Sequence, residues 1–126
     1  MPLATIHTHD APQPIGPYSQ AIDTGALLFI SGQIPLDPAS GGLVGNTIEA
    51  QAEQALLNLK AILEASGLTM GSLVKTTVFL RSLADFAAFN AIYERLLDGA
   101  KPARSVAEVS ALPRGALCEI EAIACR

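Results

Sequence analysis

The last quarter of the chain, residues 101–126, alternates polar and apolar positions with a period of two. Ala103, Ser105, Ala107 and Val109 interleave with Arg104, Val106 and Glu108, and Leu117, Glu119, Glu121 and Ile123 with Cys118, Ile120, Ala122 and Ala124. On either side of Pro113 and Gly115, that period predicts two β-strands joined by a short turn. Upstream, Tyr18–Ile22 and Ala26–Gln33 flank Asp23-Thr-Gly25 and read as a β-hairpin, with Ser31-Gly-Gln33 closing its second strand. Residues 26–30 of that strand are apolar on both faces, so each face needs a cover. Ile48, Ala52, Ala55, Leu56, Leu59, Ile62 and Leu63 recur at helical spacing. They predict an amphipathic helix with Asn46 as N-cap, Glu49 at its third position and Gly67 as the stop; Glu49, Glu53, Lys60 and Glu64 form its solvated face. Ser72–Leu80 reads as a strand. Ser82-Leu-Ala-Asp85 is a second capping box, opening a helix that buries Phe86, Phe89, Tyr93 and Leu97 and ends at Asp98-Gly99. Residues 1–17 are irregular apart from a short strand near Thr5–His7, and residues 35–46 form a loop.

This order, ββ(β)-α-β-α-ββ, predicts an α+β domain: a mostly antiparallel sheet with two helices on one face. The other face is left bare although residues 26–30 are apolar there, which marks it as a subunit contact. Composition agrees. Half of the 126 residues are hydrophobic and mean hydropathy is +0.37, high for a small one-domain monomer. No apolar run approaches the ~20 residues that span a bilayer, and residues 1–11 lack the basic and apolar regions of a secretory leader. The apolar surplus therefore points to an oligomer.

Charge and sulfur narrow the setting further. The net charge is −4 and the eight Lys and Arg are scattered singly, so nucleic acid is not an expected partner. Cys118 and Cys125, seven apart on one strand, fall on opposite faces roughly 23 Å apart and cannot form a disulfide with each other. A reduced, cytoplasmic chain is expected.

Four places carry candidate chemistry. Arg104 and Glu119 are flanked by small or apolar residues; they read either as an ion pair or solvated strand face, or as groups held for chemistry. Asn90 shares a helix face with Phe86 and Tyr93, so its amide is either a structural bracket or a pocket group. Ser31-Gly32 either ends its strand or lets another group approach the backbone. His7 and His9 form a His-x-His without further ligands in sequence, and no metal is expected. No phosphate-binding Gly-rich loop, nucleophile elbow or dinucleotide fingerprint is present.

Blocks in order along nearly the whole chain carry a resemblance: Ile15-Gly-Pro-Tyr-Ser-Gln20, Ser31-Gly-Gln-Ile-Pro35, Val74-Lys-Thr-Thr-Val-Phe79, Phe89-Asn-Ala-Ile-Tyr93, Pro102-Ala-Arg-Ser105 and Glu119-Ile-Glu-Ala-Ile-Ala124. Together they resemble the Rid (YjgF) family of reactive-intermediate deaminases. The resemblance implies a chorismate-mutase-like fold and a homotrimer with an inner barrel and active sites between neighbouring subunits. It also implies hydrolysis of enamine and imine acids such as 2-aminoacrylate and 2-iminopropanoate to 2-oxo acids and ammonia, without a cofactor. Arg104 would bind the substrate carboxylate, Glu119 would activate water, and Tyr18, Ser31, Gly32, Asn90 and Val106 would complete the pocket. Two departures bear on this: Val106 stands where many members carry Cys, and Lys101 where an aromatic residue often precedes Pro-Ala-Arg. Alternatives are a deaminase for 3-aminoacrylate or 2-aminomuconate, a non-catalytic trimer that binds 2-oxo acids, and, against the acidic charge, a ribonuclease or translation inhibitor.

Overall fold

The computed structural model describes residues 3–126. Six strands form one sheet: β1 (Ala4–Ile6), β2 (Ala21–Asp23), β3 (Leu27–Gln33), β4 (Leu73–Leu80), β5 (Ala103–Glu108) and β6 (Cys118–Cys125). Two helices, α1 (Ile48–Ala65) and α2 (Phe86–Leu97), pack against each other on one side of it. The strand order is β1-β2-β3-β6-β4-β5, antiparallel except between β4 and β5. The α+β architecture is as the hydrophobic pattern predicts.

The pairing of the last two strands, which the sequence pattern leaves open, is set by β4. β5 and β6 are not neighbours; β4 lies between them and pairs with both. β4 and β5 are joined through α2, and a helical crossover of that length makes them parallel. β6 then enters antiparallel on β4's other edge, which leaves β5 at the edge of the sheet.

The helix-facing side of the sheet supplies Leu28, Ile30, Val78, Leu80, Cys118 and Ile120, each at most 4 % exposed, which meet Leu56, Leu59, Ile62 and Leu63 of α1 and Phe89 of α2. Ala122 and Ala124 on β6 and Ala52 and Ala55 on α1 are buried as well. Their small side chains let the layers approach closely. On the opposite side Phe29 remains 44 % exposed, in keeping with an uncovered face.

Both helix starts are shifted from the sequence expectation. Thr47, not Asn46, caps α1, its Oγ1 accepting from Ala50 N at 3.2 Å from an extended backbone. Ser82 caps a short 3₁₀ turn at Leu83–Asp85 instead of α2 itself, its Oγ accepting from Ala84 N. The free Leu83 N–H is taken by Glu108 Oε1 at 2.9 Å, so the partner that completes this cap comes from β5 and not from Asp85. Phe86 is 38 % exposed and so lies outside the buried stripe of α2. Gly67, with φ +76°, follows α1 as expected.

Buried amides tie down the irregular segments. Gln20 donates to the carbonyls of Thr8, Ala11 and Pro12 and accepts from Thr8 N, pinning the N-terminal segment to the sheet. From α1, Asn58 holds the carbonyls of Ile34 and Leu36, and Gln51 bridges Gly45 O and Leu117 N.

The two cysteines lie at the two ends of β6, Cys118 buried and Cys125 exposed. Burial, with the nearby charges of Asp85 and Glu119, pushes the Cys118 thiol up to about 12. Iodoacetamide at neutral pH is therefore expected to label Cys125 and spare Cys118 until denaturant is added, as read by peptide mass.

Candidate active site

Arg104 lies on β5 opposite Thr76 of β4, and Thr76 is fully buried on the helix side. α2 there presents Phe86, Asn90 and Tyr93, spaced so that all three share one helical face. Asn90 Oδ1 accepts from Arg104 Nη1 at 2.7 Å. The guanidinium carbon sits 4.8 Å from the Tyr93 ring centre and 5.7 Å from that of Phe86. The Tyr93 hydroxyl is in turn anchored at 2.7 Å to Thr76 Oγ1. Of the five N–H donors of a guanidinium, the others take no hydrogen bond among the described residues. The cation is thus oriented by an amide and stacked on aromatic rings, with donors left over for a planar anion. Asn90 serves both readings left open by the sequence: it brackets Arg104, and with Tyr93, Lys101 and Arg104 it lines a groove of about 690 Å³. Val106 is two residues along β5, on the same face as Arg104, and packs partly against the core beside Val78.

Glu119 belongs to a second cluster. Its neighbours on β6, Cys118 and Ile120, are buried toward the helices, so its own side chain emerges on the bare face. Across from it β3 carries a bulge. Ile30 pairs with Ala122 and Gln33 with Ile120, leaving Ser31 and Gly32 together opposite Glu121. The bulge lies within β3, so Ser31 does not end the strand. Gly32 is required where it stands: a Cβ there would overlap Glu119 Oε2 and come within 2.9 Å of Cδ. Ser31 Oγ donates to Ser19 O at 2.6 Å, and the exposed Tyr18 accepts from Ile15 N through its hydroxyl at 3.4 Å. With Ile15, Pro113 and Glu121 these residues line a cleft of about 460 Å³. Partial burial holds the Glu119 carboxyl above the usual carboxylate range, and the charge of Glu121 adds to the effect. No hydrogen bond or ion pair satisfies the Glu119 carboxylate among the described residues.

Arg104 and Glu119 do not form the ion pair that the sequence left open. They flank β4 at Thr76 and Phe79, three residues apart, and an odd offset on a pleated strand places them on opposite faces. The seven expected site residues therefore fall into two groups within one chain: Arg104, Asn90 and Val106 on the helix side, and Tyr18, Ser31, Gly32 and Glu119 around the bulge. The sequence reading missed Tyr93 and Phe86 as the platform under Arg104, having placed both in the core stripe. Their spacing from Asn90 was the available signal. It also passed over Glu121, whose position two residues from Glu119 puts it on the same face.

His7 Nε2 lies 2.6 Å from Gln13 Oε1, with the His9 ring edge-on at 5.0 Å. No group of three or more His, Cys, Asp or Glu arranged to hold a metal occurs among the described residues.

Residues 8–126 match the family described as Endoribonuclease L-PSP. The chain belongs to this family, also called Rid or YjgF. Among its relatives is the 2-iminobutanoate/2-iminopropanoate deaminase of Salmonella typhimurium, 51 % identical over 97 % of both chains. A RutC family protein of Pyrococcus horikoshii is 52 % identical over 94 % of both. The crystal structure of Escherichia coli TdcF with bound serine superimposes with a TM-score of 0.94 at 43 % identity, over 98 % of each chain. The Rid fold thus holds throughout the described chain, and no helix of the described residues is long and apolar enough to cross a membrane.

Proposed function

We propose that the protein hydrolyses enamine and imine acids of the 2-aminoacrylate/2-iminopropanoate type to 2-oxo acids and ammonia, at sites assembled between two copies of the chain in a homotrimer. The observation that carries this reading is the division of labour across the sheet. One face offers an oriented cation without an anion, the other a half-buried carboxylate without a donor, and neither is a complete site alone. An edge strand bearing Arg104, set against the bare face of a second copy, would bring the halves together. A relative named as a 2-iminobutanoate/2-iminopropanoate deaminase supports the reaction class, and a relative that binds serine supports recognition of a small amino-acid-like carboxylate.

The chemistry follows from the parts. Arg104, stacked on Tyr93 and aimed by Asn90, would hold the substrate carboxylate through two parallel N–H bonds. The enamine tautomer shifts a proton to its terminal carbon and becomes the imine. Glu119 takes a proton from water as the water oxygen bonds to the imine carbon, and the imine nitrogen takes a proton from solvent, giving a carbinolamine. Glu119 then returns its proton to that nitrogen, the C–N bond breaks with its electron pair leaving on ammonia, and the hydroxyl gives up its proton to solvent as it becomes the carbonyl of the 2-oxo acid. Ser31, Gly32 and Tyr18 border the volume where water and substrate nitrogen would sit, and the edge backbone around Val106 borders the carboxylate. The imine carbon is already electrophilic, so this route uses no cofactor.

The test generates 2-aminoacrylate in place with a lyase acting on serine and follows pyruvate. The protein is expected to accelerate the decay in proportion to its concentration. No acceleration, with serine consumption by the lyase unchanged, would overturn the proposal for this substrate class.

A further inference from the structure

Glu121 takes no part in the reaction steps proposed above, yet the bulge is built around it. Ser31 and Gly32 together face this one residue, and its other neighbour across the ladder is Thr77 of β4. Glu119 and Glu121 are two apart on β6, so their side chains leave the same face roughly 7 Å apart at the backbone. Both line the cleft that holds Tyr18, Ser31 and Gly32. Glu121 also forms the wall of the adjoining hollow with Lys75, Thr77 and Phe29.

The charged groups around this pair are few. β3 contributes none, its facing residues being Phe29, Ser31 and Gly32. β4 contributes Lys75, with the uncharged Thr77 and Phe79. Lys75 Nζ lies 3.5 Å from Ser105 Oγ and makes no ion pair with Glu121 among the described residues. From the neighbouring loops come Tyr18 and Pro113, neither of them a cation, and Arg81, which follows β4 opposite Leu117 and donates through its guanidinium to Ser110 O. Within one chain Lys75 shares a wall with Glu121 but makes no ion pair with it among the described residues, and the half-buried group beside Glu121 is Glu119.

We propose that Glu121 is a positioning residue that acts through Glu119, pressing a second negative charge on it so that Glu119 can both accept a proton from water and release it to the departing nitrogen. A base that ionised too readily would hold its proton too weakly to return it, and matching proton affinity to working pH is what makes such a group efficient. The direction in which burial and Glu121 move the Glu119 carboxyl agrees with this role.

The inference rests on the deaminase reading, so its test has one readout that needs no turnover. The carboxyl carbons of ¹³C-glutamate-labelled protein are titrated by NMR in wild type, Glu121→Gln, Glu121→Asp and a control, Glu64→Gln, on the exposed face of α1. The Glu119 resonance, assigned by its loss in Glu119→Gln, is expected to titrate at lower pH in Glu121→Gln. It should return toward the wild-type midpoint in Glu121→Asp and stay at that midpoint in Glu64→Gln. Raising salt should lower the wild-type midpoint and leave that of Glu121→Gln nearly still, a comparison that also covers any subtle repacking in the variant. The acid limb of the pH–rate profile should move the same way as the NMR midpoint. An unmoved Glu119 midpoint in Glu121→Gln would overturn the proposal whether or not 2-aminoacrylate is a substrate. A moved midpoint without turnover would leave the coupling standing and overturn only the deaminase reading on which its catalytic meaning depends.

Discussion

Arg104→Ala chains mixed with Glu119→Gln chains, unfolded and refolded together, should recover roughly one quarter of the wild-type rate, although each variant alone is nearly inactive. In a symmetric ring every site would draw Arg104 from one copy and Glu119 from its neighbour. With equal random mixing, half the copies supply an intact Arg104 and half an intact Glu119, so about one site in four has both. On the proposed reading, Arg104→Ala alone would remove two charge-assisted hydrogen bonds to the substrate carboxylate. At about 1.5–3 kcal/mol each, their loss corresponds to a fall of at least about a hundredfold in kcat/KM, much of it in KM. Arg104→Lys should restore only part of it, since an ammonium cannot present the parallel pair of donors or stack on Tyr93 in the same way. If mixing restores nothing while the mixed protein assembles normally, the site does not span two copies.

Glu119→Gln is expected to act on kcat. Loss of a positioned general base typically costs about 10²–10⁴ in rate, with substrate affinity largely kept because the carboxylate anchor is elsewhere. Its pH signature can be read in advance. In the proposed mechanism Glu119 must be ionised to take a proton from water, and its carboxyl is held above the usual range by burial and by Glu121. Wild-type activity should therefore fall off on the acid side at a pH above that of an ordinary glutamate, and this limb should vanish in Glu119→Gln. Stability carries the opposite sign. A carboxyl whose folded-state affinity for protons is raised favours folding at low pH, and that contribution is lost as pH rises through its folded value. Glu119→Gln should thus raise Tm at neutral pH, with the gain shrinking as the solution is acidified. Thermal scans at two pH values check it. A variant that loses both activity and Tm at neutral pH would point to a structural role for Glu119 instead.

The label Endoribonuclease L-PSP and the deaminase names within the family describe different chemistry. The −4 charge and the scattered Lys and Arg give a polyphosphate little to hold, whereas one stacked Arg and one half-buried Glu suit a small, already reactive acid. Lys101, where the family resemblance implies an aromatic residue, lines the same groove as Arg104.

Most of the architecture is written in local periodicity. The period-two runs specify which residues of β5 and of β6 share a face, the 3.6-residue recurrence specifies the buried stripe of α1, and Gly67 its stop. The candidate residues were legible too, because a charged or amide group set among small apolar ones is unusual in a strand or helix face. Strand order was not legible. The pattern around Pro113 is the same whether β5 and β6 pair with each other or with a third strand, and the choice depends on β4 coming between them from far away in sequence. Nor could spacing reveal that Glu108 would cap the turn before α2, or that the helix face shared by Phe86, Asn90 and Tyr93 would meet Arg104. Alternation on a single strand says which face a side chain takes only relative to its own neighbours. The register of β4 against both partners is what sends Arg104 to one side of the sheet and Glu119 to the other. The sequence alone determined the elements, the core stripes and the chemical groups; the tertiary structure decided that those groups form two separate clusters on opposite faces of the sheet, because only long-range strand pairing relates one strand's faces to another's.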